Sequence, residues 1–249
     1  MESYTERVWI QKIKCFIEYM KVAFLVPSTT NKRDWKCAEQ TYLWQILCQS
    51  LEDNTPDHQI KIFVGYDSDD AIYSIAQERL KFSAVFTKFN IEWFPMYNLK
   101  GELSQIWNKL GEEAIKQDYK YFKIMGDDIE MPKDKVWLGA MINKLKKNNN
   151  IGWSAGFSNN NRIATQFLVH KTHYDIFGFF YPVEIKTWGV DDFLHNVYPE
   201  KFRNWMKQYH LYNVGGEPRY EVSFNPRFVE AIVKRYRPKL NRFLQKINE

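Results

Sequence analysis

The sequence predicts an α/β protein: a mostly parallel central sheet flanked by helices, in a single domain. Three observations carry that prediction. Apolar, strand-length runs alternate with stretches of helical periodicity through the first half, the pattern that winds a sheet between two helical layers. Segments rich in hydroxyls and carboxylates follow several of those runs, where open α/β sheets bind ligands at their carboxyl edge. No Gly, Ser or Pro linker separates the halves, and no internal repeat is present.

Residues 5 to 20 carry Trp9, Ile10, Ile13, Phe16, Ile17 and Met20 at helical spacing, so an amphipathic helix is expected over residues 1 to 20. Lys21 to Pro27 reads as a buried strand. Trp35, Ala38, Tyr42, Ile46, Leu47 and Ser50 mark a helix face, and Ile60 to Tyr66 is the second strand. A helix through Ile72, Ile75, Ala76 and Leu80, a strand from Ile91 to Pro95 and a helix through Leu103, Ile106, Trp107, Leu110 and Ala114 lead to the strand Tyr121 to Met125. Right-handed crossovers make these four strands parallel. Residues 21 to 130 hold this parallel core, and 131 to 225 form a less regular second half. In the latter, a helix from Trp137 to Lys147 precedes strands Ile151 to Ala155 and Ile163 to Val169, which flank the polar loop Ser158 to Arg162. A short helix then ends near Tyr198. Asn225-Pro226 opens a basic helical tail, 226 to 249, carrying Lys234, Arg235, Arg237, Lys239, Arg242 and Lys246. Such a stretch is a solvated helix face or a contact with an anionic membrane surface or partner.

Composition narrows the function classes. The chain has 249 residues, enough for a sizeable core, and its 18 Phe, 15 Tyr and 9 Trp suit both a deep core and a cleft that stacks on planar or sugar groups. A net charge of +5 accompanied by 30 acidic residues does not demand nucleic acid, and an anionic small substrate fits it as well. Cys15, Cys37 and Cys48 have no CxxC spacing, so neither a disulfide framework nor a structural zinc is expected, and a reducing compartment is. The longest apolar run, Val22 to Val26, is far short of a transmembrane segment or a signal-peptide core, so a soluble, cytoplasmic protein is expected.

Four polar clusters fall where this topology puts strand ends. After the first strand, Pro27, Ser28 and Thr29 lead to Arg33; hydroxyls, free backbone N–H groups and a guanidinium suit a nucleotide or its phosphates, and equally a plain helix cap. After the second comes Asp67-Ser68-Asp69-Asp70, where a carboxylate can accept from a base N–H or ribose hydroxyls. The third is Gly126-Asp127-Asp128-Ile129-Glu130. Adjacent carboxylates repel, and a hard divalent cation with oxygen ligands supplies the counter-charge; a solvated acidic turn is the alternative. The fourth is Trp188-Gly189-Val190-Asp191-Asp192, two acids opening a helix. The helix dipole explains one of them as a cap and two less well. Trp188 is a platform for a sugar face or simply a core aromatic.

A strand-end dicarboxylate followed roughly 60 residues later by Trp-Gly-x-acid-acid resembles the DxD and Trp-Gly-Gly-Glu-Asp pattern of GT-A-fold glycosyltransferases. The run Phe167 to Phe180 is similar to the stretch that leads, in that superfamily, to the catalytic acid, so the likeness covers residues 21 to 200. More closely, residues 26 to 33, 126 to 130 and 188 to 192 resemble small glycosyltransferases of large DNA viruses and protists, which implies a host cytoplasm for a viral chain. The resemblance implies a Rossmann-like GT-A domain over residues 21 to 225, with its nucleotide-binding half from 21 to 130 and its acceptor half from 131 to 225, that moves a sugar from a UDP- or GDP-sugar to the hydroxyl of a glycan or glycoprotein, with Mn²⁺ or Mg²⁺. It implies Asp128 as metal ligand and Asp127 at the metal or ribose, Gly126 standing where the motif usually has its first Asp. Pro27, Ser28, Thr29 and Arg33 would bind the nucleotide, and Asp67 or Asp69 its base. Asp192 would be the general base of an inverting reaction, and Asp191, Trp188 and Gly189 would hold donor or acceptor sugar. His210 would be a third metal ligand, or an exposed surface histidine.

Rival readings use the same residues. Asp67-Ser68-Asp69 is similar to the nucleophile and acid of haloacid-dehalogenase-type phosphatases, although that motif normally follows the first strand and position 71 is Ala here. A nucleotidyltransferase should show a Gly-rich Arg/Lys loop after the first strand, and none is present. A non-catalytic binding protein would carry the acids as decoration.

Overall fold

The computed structural model describes residues 20–56 and 58–247, and the helix expected over residues 1 to 20 lies outside them but for Met20. Strand β1 (Lys21–Ser28) is buried from Val22 onward and pairs in parallel with β2 (Gln59–Asp67) on one side and β4 (Tyr121–Ile124) on the other. β2 pairs in parallel with β3 (Asn90–Met96). With β6 (Trp153–Phe157), β7 (Leu168–His170) and β8 (Arg203–His210), the sheet has 7 strands in the order β3-β2-β1-β4-β7-β6-β8. β7 runs antiparallel to both neighbours, and β8 parallel to β6. The strand order reverses between β1 and β4, which opens a crevice at their carboxyl ends.

Side chains alternate across a strand, so β1 sends Val22, Phe24 and Val26 into one layer and Ala23 and Leu25 into the other. The first layer is closed by α1, a π-helical turn Leu43–Cys48 that continues as Gln49–Asp53, by α2 (Ala76–Val85) and by α4 (Trp137–Lys147). The second is closed by α3 (Leu103–Lys116), α5 (Thr172–Phe177), α6 (Val190–Val197) and α7 (Pro226–Lys246). Each fully buried Leu or Phe in these layers contributes about 1.5–3 kcal/mol.

Several elements differ from expectation for local reasons. The helix expected from Trp35 starts at Leu43, because the Thr41 hydroxyl donates to Ala38 O (2.7 Å) and closes a separate turn, Ala38–Gln40. The helix expected from Ile72 starts at Ala76, because Asp70 Oδ1 takes the N–H groups of Ile72 (3.0 Å) and Tyr73 (2.9 Å). The strand expected from Ile163 is only Leu168–His170. β8 has no clear alternation of exposure and pairs with β6 through a register shift at Gly156/Phe157, so its polar sequence hid it. The basic tail is a structural helix: Val229, Ile232, Val233 and Leu240 of α7 are buried in the core that α5 and α6 share. Among the described residues no helix is long and apolar enough to cross a membrane.

One small feature positions the site. β5 (Ile129–Glu130), directly after the Asp127-Asp128 turn, pairs antiparallel with β9 (Tyr212–Asn213). That ribbon lays the segment following Asn213 across the ends of β1, β2 and β4.

Candidate active site

A cavity of about 770 Å³ occupies the crevice. From the first half it is lined by Pro27, Ser28, Thr29, Asp67, Asp127 and Asp128, and from the second by Trp188, Gly189, Asp191 and Asp192. Residues more than a hundred positions apart thus meet in one space. Arg33, Asp69 and His210 do not line it.

Asp127 is fully buried and already paired. Ser28 Oγ donates to its Oδ2 (2.6 Å), and the Arg219 guanidinium grips both carboxylate oxygens, Nη1 at 2.6 Å from Oδ2. Arg219 also donates to Thr29 O (2.9 Å) and lies over the Tyr42 ring at 5.5 Å. A bidentate, charge-assisted pair of this kind fixes orientation as well as charge. The neighbouring Asp128 accepts from Asn213 Nδ2 (3.3 Å), and Gly215 passes so close that a Cβ there would stand 2.2 Å from Asp128 Oδ2. Burial, then the charge of Asp127, push the Asp128 carboxyl up to about 6.

Asp67 has one oxygen satisfied and the other not. Its Oδ2 accepts from Thr29 Oγ1 (2.9 Å) and Tyr220 OH (2.9 Å), while Oδ1 is buried with no partner. A buried carboxylate oxygen without a donor is costly unless a ligand supplies one. Asp69 turns away: 66% of its side chain is exposed and it pairs with Lys100 at 2.7 Å. The phosphatase reading needs Asp67 and Asp69 in one cavity, and they are not. Asp70 is a clamp between loops, taking Thr30 N at 2.7 Å and Thr30 Oγ1 at 3.0 Å.

The expected metal set is not assembled as read from the sequence. Asp127 is occupied by Arg219, and His210 is exposed, bonded to Tyr212 OH (2.8 Å) and edge-on to Phe157. Among the described residues no three His, Cys, Asp or Glu side chains converge. Mg²⁺ and similar hard cations are commonly held by one or two carboxylates together with substrate phosphates, and Asp128 fits that limited role.

In the second half, Gly189 has φ +98°, and a Cβ on it would stand 2.7 Å from Val229 Cγ2, so glycine alone lets α6 begin against α7. Asp191 and Asp192 occupy the first turn of α6. Asp192 lies 3.7 Å from Arg162; burial, then the charge of Asp192, push Asp191 up to about 7. Trp188 is 54% exposed on the rim beside Phe224 and Val222, so it is no core residue. Beneath the site, the buried Asn108 accepts from Phe180 N (2.8 Å) and Tyr181 N (2.9 Å) and donates to Tyr181 O (2.8 Å).

Sequence reasoning missed Arg219, Tyr220 and Asn213, as well as Asn160, Arg162 and Gln166. The flexible pair Gly215-Gly216 before Pro218-Arg219-Tyr220 was the available signal for a loop that folds back. Arg33, expected at the nucleotide, instead donates to Glu217 O (2.5 Å) and fastens that loop, as Asn31 Nδ2 does through Arg219 O (2.7 Å).

The fold resembles that of S. aureus TarS. The crystal structure of S. aureus TarS 1-349 superposes with a TM-score of 0.50 at 13% sequence identity, over 78% of this chain and 60% of that one. At that identity the likeness shows a single GT-A-like α/β domain, and the chain spans less than two thirds of the TarS fragment. No family model and no curated protein sequence matches the chain.

Proposed function

We propose that the chain is a nucleotide-sugar-dependent glycosyltransferase that transfers a sugar to an acceptor hydroxyl with inversion. The convergence of Asp127-Asp128 and Asp191-Asp192 on one cavity at the sheet's switch point carries this reading. The orphaned Asp67 oxygen, placed to accept from a base or ribose, supports it, as does the likeness to TarS, a glycosyltransferase. The choice of UDP or GDP, a glycan or glycoprotein as acceptor, and kinship with viral and protist enzymes rest on the motif resemblance.

In this reading the nucleotide lies over Ser28, Thr29 and Asp67, and its diphosphate faces Asp128 and Arg219. The bond from the sugar C1 to the diphosphate oxygen breaks with its electron pair leaving on phosphate, and the acceptor oxygen bonds to C1 from the opposite face. Asp192 takes the hydroxyl proton as that oxygen attacks. Asp191, which holds a proton to near neutral pH beside the charged Asp192, can donate to a sugar hydroxyl or accept from one. Mn²⁺ or Mg²⁺, when held by Asp128 and the donor's own phosphates, supplies neutralisation of the departing diphosphate.

Thermal unfolding with UDP and GDP, each with and without Mn²⁺, tests the reading. Binding to the folded state at about 100 times Kd stabilises by about 2.7 kcal/mol, a readily measured rise in Tm. No rise with either nucleotide refutes the proposal. Asp128→Ala should abolish the metal-dependent part of the rise, and its retention moves the cation elsewhere.

A further inference from the structure

A second cavity, of about 520 Å³, shares Asp191 with the first, together with Asn160, Arg162, Gln166 and Asn213. Its remaining lining is Ser158, Asn159, Asn161 and Thr165, so every side chain around it is polar. The first cavity by contrast has an apolar rim at Trp188, Val222 and Phe224.

The polar wall is framed by its own hydrogen bonds. Asn159 exchanges two of them with the Asn213 backbone, at 2.8 and 3.0 Å, and Thr165 Oγ1 donates to Ser158 Oγ at 2.9 Å. Asn160 Oδ1 takes Arg162 N (2.8 Å) and Ile163 N (3.2 Å). Gln166 is held at φ +55°, outside the range most side chains adopt, with its carbonyl capped by the buried Lys123 ammonium. The side-chain amides of Asn161 and Gln166, in contrast, make no hydrogen bond to the described residues.

We propose that this second cavity is the acceptor subsite and that it takes a neutral, hydroxyl-rich chain, a saccharide or polyol. The assignment rests on the glycosyltransferase reading. An amide offers a donor and an acceptor side by side, which matches neighbouring hydroxyls, whereas a wall built of polar side chains offers a lipid or aromatic acceptor no apolar side chain to bury against. Arg162 is offset by Asp192 at 3.7 Å and Asp191 stands at the border, so no surplus positive charge selects an acidic acceptor. Inverting attack also requires the acceptor hydroxyl to come from the side away from the diphosphate. The shared border at Asp191 brings an acceptor in this cavity next to Asp192, the following residue in the first turn of α6.

Asn161 is exposed and lines only the second cavity, so its replacement tests the subsite without touching the donor site. The probes are maltose, lactose, cellobiose and sorbitol, followed by saturation-transfer NMR on protein holding Mg²⁺ and whichever of UDP or GDP shifts its Tm. At least one probe should give a signal. Asn161→Leu should weaken it about tenfold, the effect of losing one well-made hydrogen bond, and Asn161→Gln should retain it. The nucleotide-dependent Tm rise should be the same in all three proteins. Undiminished probe binding by Asn161→Leu, or no probe signal while the nucleotide rise persists, overturns the acceptor assignment and leaves the glycosyltransferase reading standing. Absence of the nucleotide rise in the unmodified protein overturns both.

Discussion

Asp191→Asn should make the protein more stable and less active, and the gain should depend on pH. Burial and the charge of Asp192 raise the Asp191 carboxyl from 3.8 to about 7. A shift of about three units at about 1.36 kcal/mol per unit sets a ceiling of about 4 kcal/mol on the cost of ionising Asp191 in the folded state. The residue is half-buried and lines both cavities, so solvent screening reduces that cost, and about 1–2 kcal/mol is expected. The sign follows from proton binding. The folded state holds the proton more tightly than the unfolded state, so the cost is absent below about pH 4, grows to about pH 7 and is constant above. Asparagine cannot ionise, so the variant should gain about 1–2 kcal/mol at pH 8 and a few tenths at pH 4. Urea unfolding at pH 4, 6 and 8 measures this as a shift in midpoint at unchanged slope. No gain at pH 8, or an equal gain at pH 4, would show that the folded state does not raise the cost of ionising Asp191.

Other variants probe the scaffold and the chemistry. Arg219→Met leaves Asp127 fully buried with only the Ser28 hydroxyl for company, and should cost about 3–5 kcal/mol in urea unfolding. A loss below about 1 kcal/mol would mean that the loop opens and hydrates the acid instead. Asn108→Leu strands the Phe180 and Tyr181 N–H groups and the Tyr181 carbonyl, at about 3 kcal/mol or more; calorimetry showing little change would refute its anchoring role. Asp192→Asn should keep the nucleotide-dependent rise in Tm and lose transfer measured by release of nucleoside diphosphate. An active variant removes Asp192 as the base.

The parallel core was legible because burial on both faces writes strands as near-continuous apolar runs, as in Val22 to Val26 and, with Lys123 inside it, Tyr121 to Met125. β8 was not, since an edge strand with a register shift needs no such run. Asp67 and Asp127 at strand ends likewise stood out in the sequence, as did Asp191-Asp192, which the structure puts at the start of α6 rather than at a strand end; all four line the cavity. Their states were hidden, because each depends on a distant partner: Asp127 on Arg219, Asp67 on Tyr220, Asp192 on Arg162. Arg33 and His210 have the right chemistry at the wrong place, which spacing along the chain does not reveal.

Local periodicity and strand-end chemistry therefore determined the layers, the parallel half and the two acid pairs, because those signals arise from backbone geometry acting over a few residues. Only the tertiary structure decided which carboxylates face the cavity, that Asp127 is neutralised by a loop 92 residues away, and that an all-polar cavity adjoins Asp191. Pairing and desolvation are set by neighbours in space, and the β5–β9 ribbon that creates those neighbours leaves almost no mark in the sequence.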